Sequence, residues 1–162
     1  MKIGCIQLNM GFGKVEENYE RAEKFIREAA SQGAEIIVLP EMWNTGYALE
    51  KLAELADVNG ERTKAFLSSL AKQLGVHIVG GSVSVKRDDK FYNTMYTFNK
   101  DGELVGEYSK AHLFRLMDEH LYLEAGSEMN RFALGDIEAA GVICYDIRFP
   151  EWLRSHALAG AK

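Results

Sequence analysis

The chain has 162 residues, 47% of them hydrophobic and 27% charged, the balance of a globular domain long enough to bury one sizeable core. A net charge of −5 with no basic run argues against a nucleic-acid or anionic-membrane partner. No stretch approaches a membrane span, and the opening M-K-I-G-C-I-Q-L-N is too short an apolar run for a signal peptide, so a cytoplasmic protein is expected.

Lys2 to Asn9 reads as a first, buried strand, with Cys5 a core residue. Glu16 to Ser31 carries Tyr19, Ala22, Phe25, Ile26, Ala29 and Ala30 at helical spacing, with acidic residues in its first turn. Gly33 stops that helix, and the isoleucine- and valine-rich run Ala34 to Leu39 is a strand ended by Pro40. A β-α-β opening predicts parallel neighbours in a sheet. P-E-M-W-N-T-G-Y then forms a loop at the carboxyl end of that strand.

Helical patterns follow at Leu49 to Ala56 and at Arg62 to Leu74, the second closed by Gly75. Val76 to Val85 and Phe91 to Phe98 read as strands joined through R-D-D-K as a hairpin, and N-K-D-G leads into a further strand, Glu103 to Tyr108. An irregular stretch, Ala111 to Asn130, precedes two more strand-like runs ending at Cys144, and a helix is expected from Pro150 to Ala159. The chain stops at G-A-K, where the matching S-Q-G-A-E of the first unit leads into a strand, so a truncated single domain over residues 1–162 is expected.

Three reactive side chains stand at comparable places: Glu41, Lys110 and Cys144, each just after a strand. In sheets built from β-α-β units the carboxyl ends of parallel strands define a ligand crevice. In P-E-M-W, Glu41 lies between a proline and large apolar side chains, where desolvation would raise its pKa above about 4.3 and make it a usable base. Y-S-K-A-H-L-F sets Lys110 among aromatic and aliphatic residues. In V-I-C-Y-D-I-R-F-P-E a strand turns into a helix start, which brings backbone N–H groups near the Cys144 thiol. Singly, each has a plainer reading: a solvated loop acid, an edge-strand charge and a small core hydrophobe.

Taken together and in order, I-I-V-L-P-E-M-W, Y-S-K-A-H-L-F and V-I-C-Y-D-I-R-F-P-E make the chain resemble the nitrilase superfamily, the carbon–nitrogen hydrolases, over essentially its whole length. The resemblance implies an α/β fold, the four-layer α-β-β-α sandwich of that family lacking its carboxyl-terminal part, and a homodimer or higher homo-oligomer. It implies a Glu-Lys-Cys triad carried by Glu41, Lys110 and Cys144, acting on a small amide substrate with no metal or organic cofactor. Glu41 would take the proton of Cys144, the thiolate would attack the amide carbon, and Lys110 with the backbone N–H of Tyr145 would face the oxyanion. A further glutamate positioning substrate and lysine is best matched by Glu119, with Glu124 the second possibility in the same loop.

The resemblance is nearest to ω-amidase-like members, which points to a 2-oxo acid amide such as 2-oxoglutaramate. Two rival readings stay open: a non-catalytic fragment or partner-binding pseudo-enzyme, and a nitrilase acting on nitriles. His112 and His120 lack a helical metal-site spacing and are assigned packing or hydrogen-bonding roles, and His77 and His156 have no ligand partner in the pattern. Arg148 either pairs with Asp146 or contacts an acidic substrate, the structural role being favoured.

Overall fold

A computed structural model describes residues 1–162. Strand β1 (Ile3–Cys5), helix α1 (Val15–Ser31) and strand β2 (Ile36–Val38) form the expected first unit, with β1 and β2 parallel, Ile3 beside Ile36. The face of α1 that carries Asn18, Tyr19, Ala22 and Ile26 is buried, at the spacing of successive helical turns. A 3-10 turn over Leu49–Lys51, helix α2 (Leu52–Leu55) and the two-residue strand β3 (Asp57–Val58) lead to helix α3 (Glu61–Leu74). Gly75 ends α3 with φ +64, a left-handed cap that costs glycine little.

Strands β4 (His77–Val79), β5 (Val83–Arg87), β6 (Lys90–Phe98) and β7 (Leu104–Ser109) complete a seven-stranded sheet of order β1-β2-β4-β6-β5-β3, with β7 also paired to β6. The hairpin through R-D-D-K forms as expected, Arg87 facing Lys90. The single strand expected over Val76 to Val85 is instead two pieces along β6. Val79 pairs with Thr97 and Val83 with Thr94, so Gly80, Gly81 and Ser82 lie opposite Met95 and Tyr96 alone. One strand carries an extra residue there, a β-bulge, and the glycines let the chain leave and rejoin the ladder.

Helices α1 and α3 cover one face of the sheet over a core that includes Tyr19, Ile26, Ile37, Leu67, Ile78 and Phe98. Each such side chain contributes roughly 1.5–3 kcal/mol by leaving water. On the other face lies a hairpin of β8 (Phe132–Leu134) and β9 (Ile137–Ala139), whose Phe132 and Leu134 pack with Ile36, Met95, Tyr108 and Ile143. Helix α4 (Glu119–Tyr122) lies within the irregular stretch, and α5 (Pro150–Leu158) adds Trp152 to the second cluster. The fold is the mixed α/β arrangement expected, with β8–β9 standing in the second sheet.

The first strand is shorter than Lys2 to Asn9, and Cys5 is exposed rather than in the core. Alternation along β1 turns Gly4 towards Ala29 and Ala34, whose Cβ atoms would stand 3.2 Å from a Cβ there. Ile3 and Cys5 fall on the opposite face, beyond the β8–β9 hairpin, where nothing covers them; Ile3 is 52% exposed.

Candidate active site

The β4–β5 bulge sets the position of Glu41. Gly81 has φ +59, and a Cβ there would run into the carbonyl oxygen of Pro40. The close approach lets Ser82 N–H donate to Pro40 O at 3.0 Å, while Ser82 Oγ accepts from Met42 N–H at 3.0 Å and Ser82 O from Trp43 N–H at 3.1 Å. Trp43 Nε1 donates to Gly80 O at 2.9 Å, and Asn44 Oδ1 accepts from Ser84 N–H at 2.9 Å. The loop after β2 is therefore fastened to the bulge and to β5 on both sides of Glu41.

Glu41 borders a mostly apolar cavity, but it also has polar partners that the P-E-M-W context did not show. Its Oε1 accepts from Asn93 Nδ2 and from Lys110 Nζ, each at 2.8 Å. The flanking Met42 and Trp43 are fully buried, but they face away into the core clusters.

Lys110 follows β7 directly, its N–H donating to Asn93 O at 2.9 Å. Its side chain has no exposed surface, and Nζ lies 2.8 Å from Glu119 Oε1 as well as from Glu41 Oε1. Burial by itself lowers the Lys110 pKa, but the hydrogen bonds and charges of Glu119 and Glu41 outweigh it and raise it above its ordinary value. The two carboxylates thus favour the charged form of Lys110. Glu119, the first residue of α4, is fully buried, and its Oε2 accepts from Phe114 N–H at 2.7 Å. Glu124 points elsewhere, to Lys90 at 3.4 Å on the surface. Of the two loop acids, Glu119 joins the lysine.

Ala140 to Ile143 is not a strand. Gly141 N–H donates to Asn130 Oδ1 and Ile143 N–H to Asp146 Oδ2, both at 3.0 Å, so these donors go to side chains instead of a ladder. Cys144 opens a 3-10 turn (Cys144–Arg148) with φ +47, a left-handed conformation that costs a non-glycine residue energy and recurs at functional sites. The turn's first bond is donated by Asp146 N–H to Ile143 O, one residue past Tyr145. The Tyr145 N–H therefore precedes the turn's ladder, and its ring packs between Phe114 and Phe149.

Cys144 is exposed as a residue, yet burial is the largest cause that pushes its thiol above the ordinary value. The Glu41 charge and a hydrogen bond with Glu41 add to it, Lys110 partly offsets them, and Glu119 raises it further. The nearby α5 start does not produce a resting thiolate; burial, and then the Glu41 charge, outweigh it.

Two residues of this cluster escaped the sequence reading. Asn93 sits in β6, its strand position giving no hint of the bond to Glu41. Tyr47, in the loop after β2 with φ +65, aims its hydroxyl at Glu119 Oε1 at 3.4 Å. Burial first, then the charges of Glu41, Glu119 and Cys144, push its phenol far up, so it stays a hydrogen-bond donor.

The expected Asp146–Arg148 pair is absent. Asp146 is fully buried and its oxygens are taken: Oδ2 by Tyr108 hydroxyl at 2.7 Å and Ile143 N–H at 3.0 Å, Oδ1 by His112 N–H at 2.9 Å and His112 Nδ1 at 2.8 Å. Tyr108 hydroxyl in turn accepts from Trp152 Nε1 at 3.0 Å. His112 also stacks on Phe149 with ring centroids 3.7 Å apart, the packing and hydrogen-bonding role expected of it. Arg148 is left exposed and without an ion pair.

Cys144 borders two cavities. One, of about 390 Å³, is lined by Glu41, Gly81, Met95 and Val142 among others. The other, of about 670 Å³, is open and apolar, bounded by Phe114, Leu116, Tyr145 and Ile147, with Arg148 its one charged side chain. No group of three or more His, Cys, Asp or Glu side chains is arranged to hold a metal ion, and no helix is long and apolar enough to cross a membrane. His156 bonds Trp152 O at 2.8 Å, while His77 and the exposed His120 have no such role.

A carbon-nitrogen hydrolase family model matches residues 2–162. The 2-oxoglutaramate amidase of Bacillus subtilis is 53% identical over 159 residues, covering 98% of this chain and 61% of its own. The omega-amidase NIT2 of Homo sapiens is 36% identical over 169 residues, 99% of this chain and 60% of its own. Among solved structures, Saccharomyces cerevisiae Nit3, a member of branch 10 of the nitrilase superfamily, superposes with a TM-score of 0.88 at 30% identity, over 99% of this chain and 61% of that one. The chain spans about three fifths of the length of these relatives.

Proposed function

Because this chain belongs to the carbon–nitrogen hydrolase family, we propose that it hydrolyses the terminal amide of a small 2-oxo acid, of which 2-oxoglutaramate is the first to test, releasing ammonia. The observation that carries the reading is that Cys144 and Glu41 line one cavity while Glu41 accepts from Lys110, which also donates to Glu119.

In this reading Cys144 is the nucleophile. Its thiol is neutral at rest, so Glu41 removes the proton as sulfur attacks the amide carbon. The carbonyl oxygen becomes an oxyanion next to the Lys110 ammonium and the Tyr145 N–H, and the loss of one such donor costs about 3–4 kcal/mol in the transition state. Collapse of the tetrahedral species breaks the C–N bond, and protonated Glu41 gives its proton to the departing ammonia. Glu41 then draws a proton from water, which attacks the thioester, and the freed thiolate takes that proton back. Glu119 holds Lys110 between two carboxylates, and Tyr47 donates into the same cluster.

The substrate class is supported by Arg148, an unpaired guanidinium on the apolar cavity that Cys144 borders, suited to the far carboxylate of a dicarboxylic monoamide. It is supported too by relatives named as 2-oxoglutaramate amidase and omega-amidase. The same reading takes the protein as a cytoplasmic homodimer or higher homo-oligomer. Ammonia release from 2-oxoglutaramate, compared between the protein and Cys144→Ala, tests the proposal. Loss of release in the variant is expected; equal rates overturn it, and turnover of a nitrile with none of the matching amide moves the activity to nitriles.

A further inference from the structure

Asn93 has no exposed surface. Its Nδ2 donates to Glu41 Oε1 at 2.8 Å, and Lys110 Nζ donates to the same oxygen at 2.8 Å. Its other end, Oδ1, is buried with no partner in the chain. A buried amide that serves only structure pairs both ends, because an unpaired buried acceptor is costly. Here the one pairing made is to the carboxylate. The main chain of the same residue accepts Lys110 N–H at 2.9 Å, so one position in β6 holds both the acid and the cation.

We propose that Asn93 is a positioning residue for amide hydrolysis: with Lys110 it occupies Oε1 of Glu41 and leaves Oε2 as the oxygen that takes the Cys144 proton. The inference rests on the reading of Glu41 as general base. The S–H bond breaks as the Oε2–H bond forms, and the sulfur electron pair goes to the amide carbon. The groups facing Glu41 are Lys110 at the end of β7, Glu119 at the start of α4, Tyr47 in the loop after β2 and Cys144 in its 3-10 turn. Lys110 and Asn93 favour the charged carboxylate, whereas Glu119 and a thiolate at Cys144 oppose it. Removing the Asn93 donor takes one charge-stabilising hydrogen bond from the base, so the acid limb of the rate profile is expected to move upward.

The test is ammonia release from 2-oxoglutaramate between about pH 5 and about pH 9 by the protein, N93L, N93D and E41Q, with a melting curve for each. N93L is expected to lower kcat roughly tenfold to hundredfold, the range for one hydrogen bond to a charged group, with KM nearly unchanged. Its acid limb moves up by about one pH unit. If N93L melts early, N93D, which keeps the shape, carries the test, and its added carboxyl moves the limb further up. A rate loss with an unmoved acid limb, or a change confined to KM, overturns the proposal. Wild-type rate and profile in both Asn93 variants beside an inactive E41Q also overturns it and leaves the base reading standing. Wild-type turnover in E41Q removes the base reading and the proposal together.

Discussion

Lys110 and Glu119 form an ion pair of 2.8 Å in which neither side chain exposes any surface. Two charges taken wholly out of water are tolerated only while each keeps its partners, and removing one partner from such a pair costs about 3–5 kcal/mol. Glu119→Gln keeps the shape, but its single oxygen can serve only one end, so it removes the charge and sets an NH2 donor against either Lys110 Nζ or Phe114 N–H. It is expected to lower unfolding free energy by about 3 kcal/mol in urea titration and to cut amide turnover at least about tenfold. Unchanged stability and turnover would show that Lys110 needs only Glu41.

Glu41→Gln should move two measurements in opposite directions. The Glu41 charge and hydrogen bond help hold the Cys144 thiol above its ordinary value, so their removal lowers it and frees more thiolate at a given pH. Alkylation of Cys144 by iodoacetamide near about pH 8, followed by peptide mass spectrometry, should run a few-fold faster in the variant. Hydrolysis should fall roughly a hundredfold or more, because the base is gone. In the unaltered protein the Cys144 alkylation rate should keep climbing beyond the ordinary thiol value of 9.0. A plateau reached below that value contradicts the neutral resting thiol.

Gly81 and Gly75 share a left-handed backbone, with φ +59 and +64, but not their surroundings. A Cβ at Gly75 meets nothing within 4 Å, whereas one at Gly81 meets Pro40 and Leu39 main chain. Gly75→Ala should cost only the conformational term, about 1–2 kcal/mol, and leave turnover as it was. Gly81→Ala adds displacement of the segment that carries Glu41, so a loss of about 3 kcal/mol or more together with a large drop in kcat is expected. Thermal melts and initial rates on the two variants decide it; equal behaviour would mean that the bulge does not position Glu41.

Arg148→Gln removes a cation without closing the apolar cavity. For amides with a second carboxylate, KM should rise roughly tenfold, the equivalent of one charge-assisted hydrogen bond. For a neutral amide of similar length it should not change. A similar shift for both substrates would place the effect in the turn itself and remove the carboxylate from the argument.

Much of this arrangement is legible in the chain alone, and the rest is hidden for identifiable reasons. Tyr19, Ala22 and Ile26 advertise their helix face, and the strands before Glu41 and Lys110 announce themselves by apolar runs that stop at a polar residue. Alternation in β1 says that Ile3 and Cys5 share a face but not whether anything covers it. The bulge at Gly80–Ser82 reads as uninterrupted strand, because the loop main chain that it receives lies far upstream, Met42 standing 40 residues before Ser82. Asp146 looks like a partner for Arg148 by proximity, while its actual partners, Tyr108 and His112, stand 38 and 34 positions upstream. Asn93 and Tyr47 carry no local signal at all, since a strand asparagine and a loop tyrosine gain their meaning only from the carboxylates that they reach.

The Asp146 carboxylate grips the turn of Cys144 through Ile143 N–H and the segment after Lys110 through His112. Those two segments are therefore coupled mechanically: neither can shift by an ångström without stretching the other's bonds. Whatever accommodation a bound molecule requires falls on parts outside the clamp, above all on the exposed Leu116 at the rim of the open cavity. On the proposed function, the clamp holds the reacting groups in register and shape selection falls to the exposed rim.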